Sequence, residues 1–254
     1  MMTHVDTFWL SRNPILRAIR RQISVYPALY IPFRKLRMSD TVVESDTGLL
    51  IEGFPRSGNT WTEALVREAS DDTLKLAHHA HAAAHVRLAL SLKVPCLALF
   101  RDPDDAVTSL LTLYENQLDA RGAYLEYVRF YRTIWPLRGP LLRMYSFEAV
   151  TENPDAVIED LNNHFDLDLT TESLASTEGK SRVFARMDEK ALRLKRRRTE
   201  MSKSRPETDL GNKNERRASA QRAITSPKAA SARAQAYDIY KTMTSDVAGA
   251  KAAK

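Results

Sequence analysis

The nine residues Gly53-Phe54-Pro55-Arg56-Ser57-Gly58-Asn59-Thr60-Trp61, placed directly after the apolar run Leu49-Leu50-Ile51, constrain this chain more than any other stretch. They read as a buried strand, a tight glycine-containing loop and the first turn of a helix. Such a turn aims several backbone N–H groups and the positive end of a helix dipole at one point, where a phosphate can sit. The glycine spacing fits the phosphate-loop pattern G-x-x-x-x-G-K-[ST], with one departure: Asn59 stands where a lysine would reach the β- and γ-phosphates of ATP. The positive charge is instead inside the loop, at Arg56. A triphosphate is therefore poorly served, whereas a nucleotide with one 5′-phosphate group is not.

From residue 48 to about 168, short apolar runs alternate with helical patterns, which predicts an α/β fold: a three-layer sandwich with a central parallel sheet and a phosphate-binding strand–loop–helix. Strands are expected at Leu49–Gly53, Leu74–Ala77, Cys96–Phe100 and Leu141–Tyr145. Helices are expected at Thr60–Glu68, Ala82–Leu92, Pro103–Asn116, Gly122–Trp135 and Pro154–Phe165. Pro103 and Pro154 suit a first helical turn, with Asp102 and Asn153 as caps. A chain of 254 residues can enclose this as one domain, with 1–47 as a basic N-terminal segment, 48–168 as the nucleotide-binding core and 169–254 as a basic C-terminal region.

The net charge of +6 is unevenly spread. Residues 8–37 carry arginines and Lys35 but no acidic residue. Pro14 can open a short helix over Ile15–Val25, while Pro27 and Pro32 predict extended chain after it. This segment either rests on anionic lipid or packs on the domain with its arginines solvated, and its short apolar face favours packing. Residues 180–217 are strongly basic around Lys195-Arg196-Arg197-Arg198, which fits a lid over a polyanion, a nucleic-acid patch or a solvated loop. One terminal helix is expected after Ala218. The lone Cys96 lies in an apolar run, so a buried thiol and a reducing, cytoplasmic setting are expected. Neither a membrane span nor a secretory signal is legible.

A second constellation is Leu99-Phe100-Arg101-Asp102-Pro103, with Ser109 on the second turn of the helix that follows. Ligands of open parallel sheets bind beyond the carboxyl ends of strands, and an arginine there with a nearby hydroxyl suits a second phosphate. Four of the six histidines lie in Leu76-Ala77-His78-His79-Ala80-His81-Ala82-Ala83-Ala84-His85. Histidine suits the removal of a proton near neutral pH. A metal set of His78, His81 and His85 has no cysteine or carboxylate to complete it, so no metal is expected. His85 is expected at the surface of an alanine-rich helix.

Taken in order, three stretches resemble the sulfotransferases that use 3′-phosphoadenosine 5′-phosphosulfate (PAPS), in their bacterial, single-domain form. Phe54 to Trp61 is similar to the family's 5′-phosphosulfate loop, and Arg101 with Ser109 to its 3′-phosphate pair. Phe147-Glu148 with Thr151-Glu152-Asn153-Pro154 resembles the segment that bears its adenine-contacting aromatic. The resemblance spans 48 to about 168. It implies that Arg56 contacts the oxygen bridging phosphorus and sulfur, and that Ser57, Gly58, Asn59 and Thr60 cradle the 5′-phosphate. It also implies that Trp61 and Phe147 stack on adenine. At the position of Arg56 the family more often has lysine than arginine. Its glycine-containing basic loop, which closes on the 3′-phosphate, has no counterpart here; Arg193–Arg198, or Lys213 with Arg216 and Arg217, stand as substitutes.

Gap-free spacing from Arg101 places His79 where the family's catalytic histidine stands, with His78 its one-residue rival and Glu63 and Glu68 next. The activity implied is sulfuryl transfer from PAPS to a hydroxyl on a saccharide, a lipid-linked glycan, or a small alcohol or phenol. Two other readings remain: a phosphate-loop kinase or NTPase, which the absent lysine opposes, and a basic protein that binds nucleic acid or an anionic membrane.

Overall fold

A computed structural model describes residues 14–38, 41–114, 118–170, 173–193 and 213–252. Two helices come first, α1 (Pro14–Ile23) and α2 (Pro27–Met38). The chain then alternates β1 (Leu49–Gly53), α3 (Asn59–Ala69), β2 (Leu76–His78), α4 (Ala83–Ser91), β3 (Cys96–Phe100), α5 (Pro103–Leu113), α6 (Ala120–Ile134) and β4 (Leu142–Ser146). Short α7 (Phe147–Glu152), α8 (Pro154–Phe165), α9 (Thr177–Arg193), α10 (Lys213–Ile224) and α11 (Ala230–Ala252) complete it. The four strands form one parallel sheet in the order β2-β1-β3-β4. The reversal of strand order falls between β1 and β3, and in open α/β sheets the crevice at such a point is where ligands bind.

Alternation along the strands sends side chains to two separate cores. Leu49, Ile51, Leu97, Leu99 and Tyr145 join Leu65, Ile158, Leu161 and Val183 from α3, α8 and α9. Leu50, Ala98, Phe100, Leu142 and Met144 face the other way, onto α4, α5, α6, α10 and α11. The expected three-layer α/β sandwich is therefore what the chain forms. The C-terminal region is part of it: Ala220, Ile224, Ala236 and Met243 are buried in the second core.

Several expectations are corrected. Residues 27–38 are helical although both prolines predicted extension. Pro27 occupies the first position, where its missing N–H is not needed. Pro32 lies on the exposed side while neighbouring Tyr30 and Ile31 are buried, and the Tyr30 hydroxyl donates to Ala80 O at 2.9 Å. Packing here outweighs the hydrogen bond that proline removes. The tail forms two helices, broken around Ser226-Pro227. The basic residues 194–212, including Lys195 to Arg198, lie outside the described residues. α1 docks through Arg20, which is buried and meets Glu126 at 3.1 Å, while Ile15 and Ile19 stay exposed. No described helix is long and apolar enough to cross a membrane.

Candidate functional site

The site stands at the carboxyl ends of β2, β1 and β3. After β1 the loop closes with Ser57 N donating to Phe54 O at 3.2 Å, and α3 starts from Gly58 at φ 95°. Only glycine takes that conformation freely, and a Cβ there would approach the Phe147 ring to 3.0 Å. No side chain caps α3. Its first amides, from Asn59 and Thr60 onward, therefore remain to receive an anion, as helix N-termini do. Asn59 turns inward, its Nδ2 donating to Phe54 O at 3.1 Å, so no side-chain amine takes the place of the missing lysine. Its Oδ1 is buried without a partner among the described residues.

Arg56 sits at φ 69°, a left-handed conformation that costs a non-glycine residue about 1–3 kcal/mol. Its Nε donates to Ser109 Oγ at 2.9 Å, and Arg101 Nη1 donates to Arg56 O at 3.3 Å. The Arg101 guanidinium lies 4.1 Å from the centre of the Phe147 ring and 3.6 Å from Asp105. Burial and the neighbouring Arg101 charge press on the Arg56 guanidinium, with Tyr114 acting in the opposite direction. The sequence suggested two phosphate sites; the structure joins Arg56, Arg101 and Ser109 into one cationic group beside the loop.

On the other flank, His79 follows β2 at φ 60° and its Nε2 lies 3.1 Å from Thr60 Oγ1. His78 is nearly buried, its ring 4.8 Å from that of His79. Between them stands Glu63 from α3, 1 % exposed. Its Oε1 meets His78 Nε2 at 3.1 Å and Arg67 Nε at 3.0 Å, and its Oε2 is 3.4 Å from His79 Nδ1. Glu68 is not part of this group: it faces Arg182 and Arg186 on α9.

Two expected roles change. Ser57 is fully buried, with its hydroxyl 3.3 Å from Tyr131 OH, so it supports the loop from beneath. Trp61 and Phe147 do not form an open aromatic slot. Trp61 Nε1 donates to Val150 O at 3.0 Å and its ring packs on Phe184 at 5.0 Å, while Arg101 covers Phe147. His78, His81 and His85, the set weighed from their spacing, point to different partners: His81 Nδ1 faces Gly53 O at 2.8 Å and His85 Nδ1 faces Glu52 at 2.7 Å. Among the described residues a different group comes together, Glu63 with His78 and His79, whose ligand atoms lie within 4.8 Å of one another.

Sequence reasoning missed the residues that hold these loops. Glu52, completely buried at the end of β1, accepts from Ala80 N at 2.7 Å, His81 N at 2.9 Å and His85 Nδ1. His85 Nε2 in turn accepts from Val43 N at 2.8 Å, which fixes a neutral ring with its proton on Nδ1. His85 is thus a core residue, contrary to expectation, because the small Ala83, Ala84 and Ala89 bring α4 close to the sheet. Tyr131 of α6 donates to Leu99 O at 2.6 Å and accepts from Phe54 N at 3.2 Å; Tyr127, one turn earlier, donates to Arg101 O at 2.8 Å. The signals were a carboxylate inside an apolar strand and tyrosines spaced at 124, 127 and 131.

No family model matches the chain, and no curated protein matches it in sequence. Among solved structures it is similar to mouse sulfotransferase SULT7A1 complexed with PAP. The identity is 11 % over 82 % of this chain and 92 % of that one, with a TM-score of 0.44. A likeness this loose carries no argument about chemistry. The geometry of the site has to do so.

Proposed function

We propose that this protein transfers a sulfuryl group from PAPS to a hydroxyl of a saccharide, lipid-linked glycan or small alcohol. The observation that carries this reading is the order β2-β1-β3. It sets His79 on one side of the anion-binding helix start and the Arg56–Arg101–Ser109 group on the other. The residues fit such a donor in three respects: the uncapped α3 terminus, the glycine at 58 packed on Phe147, and the buried Nε of Arg101, which has no hydrogen-bond partner among the described residues.

PAPS would supply a sulfuryl group bonded through oxygen to its 5′-phosphate. The acceptor oxygen–sulfur bond forms as that sulfur–oxygen bond breaks, and the acceptor proton passes to a ring nitrogen of His79. Negative charge grows on the departing phosphate oxygen, where Arg56 and the α3 amides stabilise it. Arg101 and Ser109 hold the 3′-phosphate. Asn59 supports the choice of a PAPS-type donor over ATP, since its inward turn offers no charge to a γ-phosphate.

Calorimetric titration with PAP and with ATP tests the reading. PAP is expected to bind at least about tenfold more tightly, a difference of about 1.4 kcal/mol. Tighter binding of ATP would transfer the site to the kinase reading, and binding of neither would end both.

A further inference from the structure

Successive residues of a strand point to opposite faces, so adjacent histidines at a strand end should not touch. Here they do. The left-handed backbone of His79, φ 60°, turns its ring back beside that of His78, with the ring planes 88° apart. Such a conformation costs about 1–3 kcal/mol and persists where surrounding contacts enforce it. Those contacts are hydrogen bonds, and their donor and acceptor roles can be followed from one end to the other.

The series starts at Glu63, whose Oε1 receives Arg67 Nε at 3.0 Å and is thereby an acceptor. His78 Nε2, 3.1 Å from the same oxygen, must carry a proton. A neutral ring then presents a lone pair at Nδ1, and this atom lies 2.7 Å from His79 Nδ1. The proton between them belongs to His79 Nδ1, which also lies 3.4 Å from Glu63 Oε2. His79 Nε2 is left with its lone pair, facing Thr60 Oγ1 at 3.1 Å on the rim of the loop.

We propose that Glu63 and His78 are positioning residues that hold the proton on His79 Nδ1 and aim the Nε2 lone pair at the loop. This rests on the reading of His79 as the base in sulfuryl transfer. When His79 Nε2 takes the acceptor proton, the new positive charge is shared with His78 and compensated by the Glu63 carboxylate. A metal ion held by the same three side chains fits the distances less well. Two imidazole nitrogens on a tetrahedral zinc at 2.0–2.1 Å stand about 3.3 Å apart, more than the 2.7 Å seen here. Arg67 would also place a cation against the metal's carboxylate.

Ring-nitrogen NMR of protein labelled with ¹⁵N in histidine, at about pH 8 where a histidine is ordinarily neutral, reads the tautomers directly. The expected spectrum has His79 protonated at Nδ1 and bare at Nε2, with His78 the reverse. In His78→Phe, His79 should lose this preference. With PAPS, Glu63→Gln should form PAP about 10²–10⁴-fold more slowly, since the compensating charge is gone, while PAP affinity stays within about twofold. A His79 proton on Nε2 in the parent protein overturns the relay, whatever the activity. Stoichiometric Zn²⁺ binding that vanishes in Glu63→Gln overturns it in favour of a metal site. The expected tautomers in a protein that binds no PAP would keep the relay and reject the sulfotransferase reading.

Discussion

Arg56 and Arg101 share one neighbourhood yet differ in what they can reach. Arg56 leaves the loop itself, in strained backbone, with its Nε on Ser109. Arg101 leaves the end of β3, gripped by Tyr127 through its carbonyl and lying over Phe147. If Arg56 acts on the breaking bond, Arg56→Ala should lower turnover of PAPS far more than it weakens PAP, because charge that develops only in the transition state is what it would have stabilised. Arg101→Ala should behave in the opposite way, losing affinity for PAP but much less for the analogue without a 3′-phosphate. Turnover assays paired with calorimetry on both variants check this; equal losses from Arg56→Ala would make it an anchor only. Both arginines were legible, Arg56 from its place in the glycine-containing loop and Arg101 from its place at a strand end. The bond of Arg56 to Ser109, and that of Arg101 to the Arg56 carbonyl, were not, because they depend on the backbone angle at residue 56.

At the scale of elements, the bounds that sequence gave most closely are those with strong punctuation. β3 and α8 begin and end where expected, since Cys96–Phe100 is an unbroken apolar run and Pro154 opens a helix after Asn153. β2 shifted from Leu74–Ala77 to Leu76–His78 because pairing with Leu49–Ile51, not local hydropathy, sets its register. α9, rich in charge, was not expected at all; Val183 and Met187 on one face, with Arg182 and Arg186 bonded to Glu68, hold it against α3. The loop between β2 and α4 depends on Glu52, a link between distant segments that no local pattern reveals. Glu52→Gln tests that link. The substitution is nearly isosteric but puts an NH₂ group against N–H donors that now meet carboxylate oxygens on both sides. A loss of about 2–4 kcal/mol is expected in urea unfolding, the scale of losing charged hydrogen bonds and stranding a buried donor. Unchanged stability would show that the carboxylate does not organise the loop.

Across the whole molecule, buried and paired ionisable groups should make the fold sensitive to acid in two stages. His81 lies beside Glu52, with Arg34 and Arg20 near enough to be felt; burial foremost, then those two arginines, holds its pKa below the ordinary 6.5 despite Glu52. The unfolded chain therefore binds this proton first, so stability present above about pH 6.5 declines as pH falls below it. Burial raises the pKa of Glu52, but hydrogen bonds from His85 and the Ala80 amide bring it below the usual 4.5. Asp104 is half-buried, which raises its pKa, yet Arg233 of α11 and Tyr124 hold it below 3.8. Both carboxylates stabilise the fold above their unfolded pKa values and lose that contribution as the pH falls through their native ones. Thermal midpoints measured along a pH series should thus begin to fall near 6.5 and fall more steeply below about 4.5. In His81→Gln the first decline should shrink while the second remains, since Glu52 keeps its bonds from His85 and the Ala80 amide and Asp104 keeps Arg233 and Tyr124. A midpoint constant down to pH 4 in the parent protein, or a first decline that persists undiminished in His81→Gln, would remove His81 from this account.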